Sequence, residues 1–517
     1  MPQVVRIRSE KIKNENIVAV EKKNYIVAID IGTSEVVVAV GSQGEDGVVN
    51  IETIVTENCD GVLAGLVDNS QMVTDSLRRA RERAEQEAGI AITDAYVTIS
   101  GKFVRCARYT DHVFVEDSDN CISKHDVAAL SERMRNVKSA DGEVIMEYFP
   151  INYKGTSGSE MKNPVGSYSP QLSSTYNFIL CEHTAKDRLL RVFMGAGIKI
   201  RNLYAGAAVV GESVLNSDEK EEGVAVVDIG AGVTDVAVYY GGVLRYIATI
   251  PMGGAVVNAD IRAYAGTIPA KMVESLKCRY GSALVEMTPD DLIKVNGGSR
   301  AIKPIQRLNL AAVIEARMSD IAEYVWSEIK ESGYAKKLAA GIVLTGGGAA
   351  LDHIADLFQK VTKQEVRVAC AEMGVATESL EKVSSLNLTM VVSLLLRGAK
   401  VGPCPVGVLQ TPVRSVKPEL KPENPIGQTV VPPVVPPTPA QPVQPATPAQ
   451  PVAAEPAVKT VADVAAEQMA ANDTSKDDID DEEDIPRKPK INIFGKFKEW
   501  MDGAFRPEDK YDEDDDY

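Results

Sequence analysis

The stretch "GVAVVDIGAGVTDVAVYYGG", Gly223 to Gly242, holds an apolar β-branched run, then Asp-Ile-Gly, a short turn of small residues and a second β-branched run. That pattern predicts two antiparallel strands joined by a tight turn. The same order stands earlier in the chain, in "YIVAIDIGTSEVVVAVG" from Tyr25 to Gly41. A hairpin found twice, each time with an acid at the end of its first strand, points to a duplicated α/β body. Such an acid beside a glycine turn suits a nucleotide-metal site, because turn amides can approach phosphate oxygens while the carboxylate holds hydrated magnesium. Asp30 and Asp228 are therefore expected to face each other across a cleft. A lone D-I-G turn is equally an ordinary tight hairpin, so order and spacing carry the weight.

A third element, "GIVLTGGGAAL" from Gly341 to Leu351, reads as a strand, a triple-glycine turn and a helix start. Glycines let backbone pass close to a ligand, and a helix amino terminus favours polar or negative acceptors. The plainer alternative is a packing device. Before it, "IPAKMVESLKCRYG" places Glu274 and Lys277 three apart and so on one helix face. That face either contacts a ribose and base or is simply solvated.

Bulk composition bounds the rest. A chain of 517 residues with 44% hydrophobic and 25% charged side chains has room for two or more domains. A formal net charge of -17 argues against wholesale nucleic-acid binding, which calls for a basic patch or stripe. Seven cysteines, odd in number and never spaced C-x-x-C, read as buried thiols of a reducing cytoplasm. The four histidines show no metal-ligand spacing. The amino-terminal residues 1–24 mix charge into every apolar run, so no signal peptide is expected. "LTMVVSLLL", Leu388 to Leu396, is about half the length of a membrane span and reads as a core helix. Composition changes sharply after Gly402. Residues 403–486 run through "VVPPVVPPTPAQPVQPATPAQPVAAEP" and "DTSKDDIDDEED", which read as a disordered Pro-rich linker and an acidic spacer.

Together, the two Asp-Gly hairpins, "IPMGG" at Ile250 to Gly254, the Glu274 and Lys277 helix, "EARMSDI" around Arg317 and the triple-glycine loop resemble the FtsA family of actin-like bacterial cell-division proteins. The resemblance covers about Tyr25 to Gly402. It implies a two-lobed actin-like ATPase fold with duplicated mixed β-sheet domains: a first lobe from 25–100 and 183–222, a small inserted α/β subdomain at 101–182 containing "NPVG", and a second lobe at 223–402. It implies ATP with magnesium as ligand. The nucleotide contacts it implies are Asp30, Gly32, Thr33, Ser34, Asp228, Gly230, Gly232, Thr234, Gly253, Gly254, Glu274, Lys277, Gly346, Gly347 and Gly348, with Asp30 and Asp228 holding the ion through water. The second hairpin departs from the family's D-I-G-G-G-T-T-D at Ala231 and Val233, and the missing hydroxyl at Val233 removes a possible bond to phosphate or attacking water. ATP binding with slow hydrolysis at most is expected. Glu212, in "VVGESVL", stands near where actin places its water-orienting side chain; the alternative is a helix-surface glutamate. The family further implies self-association into polymers, contact with the tubulin-like division protein FtsZ and with later division proteins, and residence on the inner face of the cytoplasmic membrane at the septum. A small-metabolite kinase or a heat-shock chaperone of the same superfamily are the rival readings, and neither uses a long tether.

Most members end in a membrane-targeting amphipathic helix, and "KINIFGKFKEWMDGAFRP", Lys490 to Pro507, has that character. At about 100° per residue, Ile493, Phe494, Phe497, Trp500, Met501, Ala504 and Phe505 fall in one arc of roughly 140°. Lys496 and Lys498 occupy the other face, with Asn492 as N-cap and Pro507 as stop. Within the expected helix at 487–507, a basic amphipathic segment on a long tether suits an anionic membrane surface, or else a groove on a protein. The acidic runs, including the 508–517 tail, are read as solvating or as regulators of that anchor.

Overall fold

The computed structural model describes residues 23–44, 47–265, 268–294 and 304–408. Residues 409–486 of the expected linker, the expected helix with Ile493, Phe494, Lys496, Phe497, Lys498, Trp500, Met501 and Phe505, the acidic tail and residues 1–22 lie outside the described residues, whereas the linker's expected first residues include a short strand, Val406–Val408, paired with Ile90–Ile92.

Two five-stranded mixed sheets repeat one plan. In the first lobe, β1 (Tyr25–Ile31), β2 (Glu35–Gln43) and β3 (Val49–Asn58) form an antiparallel meander, α1 (Ser70–Ala88) crosses over, and β4 (Asp94–Ile99) returns parallel to β1. A later helix, α3 (His183–Ala196), leads into β9 (Lys199–Ala205) beside β4, giving the order β3-β2-β1-β4-β9. The second lobe repeats it with β10 (Val224–Ile229), β11 (Thr234–Tyr240), β12 (Val243–Ile250), β13 (Ile342–Thr345) and β14 (Val366–Val368), in the order β12-β11-β10-β13-β14. Both halves therefore carry the actin-like duplication.

The sequence explains these strands. β10, Val-Ala-Val-Val-Asp-Ile, is apolar but for Asp228 and buried at every residue, and β11 has Val-Ala-Val at its centre, as expected for strands covered on both faces. Covering helices include α1, stopped by Gly89 in the left-handed conformation at φ 69°, which a side chain would strain. In the second lobe α4 (Gly254–Ala265), α5 (Ala270–Tyr280), α6 (Arg307–Glu331) and α7 (Ile354–Thr362) follow.

Between β4 and α3 the chain builds a separate four-stranded sheet from β5 (Val104–Phe114), β6 (Glu143–Lys154), β7 (Glu160–Met161) and β8 (Gln171–Glu182), in the order β7-β6-β8-β5. One face is closed by α2 (Lys124–Arg135) over Leu130, Met134, Leu172, Tyr176 and Phe178. The other face reaches the edge strand β12 of the second lobe. Arg108 and Asn177 both donate to the Arg245 carbonyl, at 3.2 and 3.0 Å, and Arg245 Nη1 donates to the Ile151 carbonyl at 2.6 Å. An edge whose polar groups are so covered cannot pair with a foreign strand.

At the end of the stretch expected as the second lobe, α8 (Thr389–Val401) packs on β1 and β2 of the first, and Val391, Val392, Leu394 and Leu395 join a core cluster that also holds residues of both sheets. The apolar run is thus a core helix, and its burial comes from the first lobe. No single helix among the described residues is long and apolar enough to cross a membrane. The expectation of uniformly buried thiols fails: Cys59, Cys181 and Cys404 are buried, Cys106, Cys121 and Cys370 are partly so, and Cys278 is exposed.

Candidate functional site

The carboxyl ends of the parallel strands of both lobes meet, and in open α/β sheets this is where ligands bind. Both hairpin turns have one geometry: the Gly32 amide donates to the Glu35 carbonyl and the Gly230 amide to the Val233 carbonyl, each at 2.9 Å. Among the described residues, the amides of Thr33, Ser34, Ala231 and Gly232 have no backbone acceptor. The turns touch across the cleft, since a Cβ placed on Gly232 would stand 2.2 Å from Thr33 Oγ1.

Three aspartates share the floor. Asp30 ends β1 and accepts a hydrogen bond from the Thr98 hydroxyl of β4. Asp228 ends β10, and Asp235 lies directly opposite it in the hairpin register, so their side chains rise on one face. Burial pushes Asp30 up to about 6, the Thr98 hydroxyl partly offsetting it and Glu35 and Asp235 adding to it. Asp235 is likewise raised by burial to about 6, against hydroxyl bonds from Ser100 and from Thr249 at 2.5 Å. Burial and the carboxylates of Asp235 and Asp30 lift Asp228 well above its ordinary range. Among the described residues no cationic side chain offsets any of the three. A hydrated divalent cation fits this excess of buried acid. Among the described residues no three His, Cys, Asp or Glu side chains converge closely enough to ligate an ion directly, so contact through water suits the geometry.

Gly346 closes against this floor: at φ +84° it abuts the acid itself, and a Cβ there would lie 2.0 Å from Asp228 Oδ1. Gly347 is exposed beside Asn387, whose side chain donates to Glu35 of the first hairpin at 3.0 Å, and Gly348 packs on Ile229. The expected helix start after the triple glycine is instead one short 3-10 turn, Gly347–Ala350, with α7 beginning at Ile354. The loop's amides therefore do not form the end of a long helix.

Gly253 and Gly254 strap the second hairpin. The Gly254 amide donates to the Gly230 carbonyl at 2.9 Å, and a Cβ on Gly253 would meet that carbonyl oxygen at 2.3 Å. Close approach, rather than an open amide, is what these two glycines provide. Glu274 and Lys277 do share a face of α5. Lys277 Nζ is buried, reaching the Gly254 carbonyl at 3.1 Å and Glu274 Oε2 at 2.9 Å, which against the cost of burial holds Glu274 below the usual range. Glu274 also accepts from Asn258 of α4, and Arg317 of α6 grips Asp260 at 2.6 and 3.1 Å. The wall formed by α4, α5 and α6 is thus ionically tied.

Two expected site residues stand elsewhere. Thr234 is fully buried and donates its hydroxyl to the Met252 carbonyl at 2.8 Å, so it holds the hairpin to the next turn and does not face the cleft. Glu212 is not free to orient water: Lys400 takes one oxygen at 2.6 Å and Arg397 the other at 3.3 Å. Burial opposes its charge, but these cations and Lys220 hold its carboxyl below the usual range. Asp235, which closes the second hairpin motif in the sequence, joins the site through its register opposite Asp228. Thr98, Ser100 and Thr249 carried no signal, because hydroxyls at strand ends belong to no spacing pattern.

Residues 225–392 match the family model "Cell division protein FtsA". The chain is 33% identical to the cell division protein FtsA of Escherichia coli K12 over 355 residues, covering 67% of this chain and 84% of that protein. It is 30% identical to the Pseudomonas aeruginosa protein of the same name over 352 residues, covering 68% and 84%. Among solved structures, a chain of the "PilM-PilN type IV pilus biogenesis complex" superposes with a TM-score of 0.50 at 14% identity, over 72% of this chain and 98% of that one, a likeness of fold alone. With facing aspartate hairpins, a duplicated sheet plan and relatives of this closeness, the chain belongs to the FtsA family of actin-like cell division proteins.

Proposed function

We propose that the chain is an ATP-binding, self-associating scaffold that anchors the FtsZ ring to the cytoplasmic membrane through its carboxy-terminal amphipathic segment and recruits later division proteins. The observation that carries the nucleotide part is the cluster of Asp30, Asp228 and Asp235 with no cationic side chain beside it among the described residues. Magnesium, held through water by Asp30 and Asp228, would supply the positive charge that lets triphosphate approach these acids. Turn amides of Thr33, Ser34, Ala231 and Gly232 suit phosphate oxygens, and the α5 face of Glu274 and Lys277 suits the ribose and base. With Val233 in the turn and Glu212 tied to cations, hydrolysis is slow at most.

Anchoring rests on magnitudes. Half-burying seven apolar side chains is worth on the order of 5 to 10 kcal/mol gross, and ordering the helix offsets much of it. One copy binds modestly, whereas several copies on a polymer gain avidity by orders of magnitude. Polymer formation and membrane residence are thereby coupled.

The test is co-sedimentation with anionic vesicles of the full chain and of a form ending at Ile485, each with and without magnesium and ATP. Pelleting of the full chain alone, strengthened by ATP, is expected. Failure of both forms to pellet would make the final segment a protein-docking element.

A further inference from the structure

The wall of α4 and α5 presents a carboxylate to solvent and keeps its cation underneath. The Glu274 side chain is 55% exposed, whereas that of Lys277, one turn further along α5, is only 9% exposed. Lys277 is spent inward, since its Nζ donates to the Gly254 carbonyl at 3.1 Å and to Glu274 Oε2 at 2.9 Å. The same Gly254 gives its amide to the Gly230 carbonyl of the second hairpin turn at 2.9 Å. A continuous line of contacts therefore runs from the turn whose amides suit phosphate to the acid on α5.

Glu274 does not hang free. Its Oε2 accepts from Lys277 and also from Asn258 Nδ2, four residues after Gly254 on α4. Oε1 meets only the Cys278 thiol, at 3.2 Å, and a thiol is a weak donor. Burial opposes the charge, yet Lys277, Asn258 and Cys278 hold the carboxyl below its usual range, so it is ionised at neutral pH. Asn258 gives something up for this contact, because its Oδ1 is buried and has no partner among the described residues. An unmet buried acceptor is costly. Turning the amide over would set its oxygen against the ionised carboxylate, so Asn258 is locked with its N–H groups on Glu274.

We infer that Asn258 is a positioning residue for a ribose: by holding Oε2 it fixes Glu274 with Oε1 left to accept from a sugar hydroxyl, so that the chain prefers a ribonucleotide to its deoxy counterpart. The inference deepens the proposed nucleotide site and rests on it. An ionised carboxylate accepts and never donates, so it suits the hydroxyls of a sugar and repels phosphate. A free glutamate loses rotamer freedom when it meets such a hydroxyl. With Asn258 and Lys277 in place the side chain is ordered beforehand, and less affinity is lost. A site built around a hydroxyl rejects the analogue that lacks it, because the acceptor is then left without its donor.

The experiment is titration calorimetry on the full chain with magnesium, using ATP and its 2′-deoxy and 3′-deoxy analogues. The variants are Asn258→Ala, Asn258→Leu and Glu274→Ala, and Leu fills the volume of the amide so that a cavity does not account for its effect. The unsubstituted chain is expected to bind ATP about tenfold more tightly than at least one deoxy analogue. Either substitution of Asn258 should weaken ATP by about three- to tenfold and leave that analogue within about twofold, so that the ratio falls toward the one found for Glu274→Ala. Melting temperatures of the nucleotide-free variants report folding, and if one of the two fails to fold the other decides. A structural role alone would weaken all three nucleotides together; that result, or an unchanged ratio, overturns the inference and leaves the nucleotide site standing. Equal binding of the three nucleotides by the unsubstituted chain overturns it too, since Glu274 then meets no ribose. Binding of none of them removes the proposed nucleotide site and the inference with it.

Discussion

At the residue scale, the three aspartates are destabilising when nothing binds them. Folded Asp30 and Asp235 titrate at about 6 against an ordinary 3.8, so between roughly pH 4 and 6 the folded chain holds protons that the unfolded chain has released. Their contribution favours folding below about pH 4 and is lost as pH rises through about 6. Substituting Asp228→Asn removes one of the mutually repelling charges. Its expected effect is a higher melting temperature for the nucleotide-free chain at pH 7, and magnesium-ATP affinity lowered tenfold or more. Thermal shift across pH with titration calorimetry checks both; an unchanged affinity would take Asp228 out of the site. Gly346→Ala acts through space and backbone together, for its Cβ would stand 2.0 Å from Asp228 Oδ1 at a φ of +84°. The expected outcome is a loss of more than about 2 kcal/mol in urea unfolding and loss of nucleotide binding.

At the element scale, α8 and the inserted sheet depend on one knot. Arg397 of α8 donates to Glu147 of β6 at 2.7 Å and to Glu212 at 3.3 Å, and its guanidinium lies over the Tyr204 ring of β9 at 5.5 Å. Arg397→Ala leaves the partly buried Glu147 without its cationic partner and should cost about 1 to 3 kcal/mol, measured by urea unfolding. Glu212→Gln separates structure from chemistry: stability should fall while nucleotide turnover stays unchanged. A drop in turnover greater than the loss of folded protein would return Glu212 to the site. The hairpins were legible because Asp-Ile-Gly flanked by β-branched runs leaves few other local structures open. The knot was not, because Glu147, Glu212 and Arg397 come from three distant stretches and no period links them.

For the whole molecule, the touching turns at Thr33 and Gly232 imply that the lobes must part for a triphosphate to enter. Gly232→Ala places a methyl where Thr33 Oγ1 lies, 2.2 Å away, so the lobes should close less completely. Small-angle scattering with magnesium and ATP should then find a radius of gyration larger than that of the unsubstituted chain. Equal radii would mean that the turns are not the stop. If polymer formation needs the closed form, ATP-dependent pelleting on vesicles falls with the same substitution.

What the sequence by itself determined is local. Periodicity marks each hairpin, glycine marks where backbone must pass close, and Pro-rich and acidic composition marks the stretch after Gly402, since each depends on neighbours along the chain. What tertiary structure alone decided is which groups meet. It set Asp235 beside Asp228, gave Thr98 and Ser100 to the acids, and turned Thr234 and Glu212 away. It also returned α8 to the first lobe and brought Cys404 back to Tyr25. Those outcomes depend on the register and packing of strands far apart in sequence, where the burial of charge and the satisfaction of hydrogen bonds are settled only once the whole body has closed.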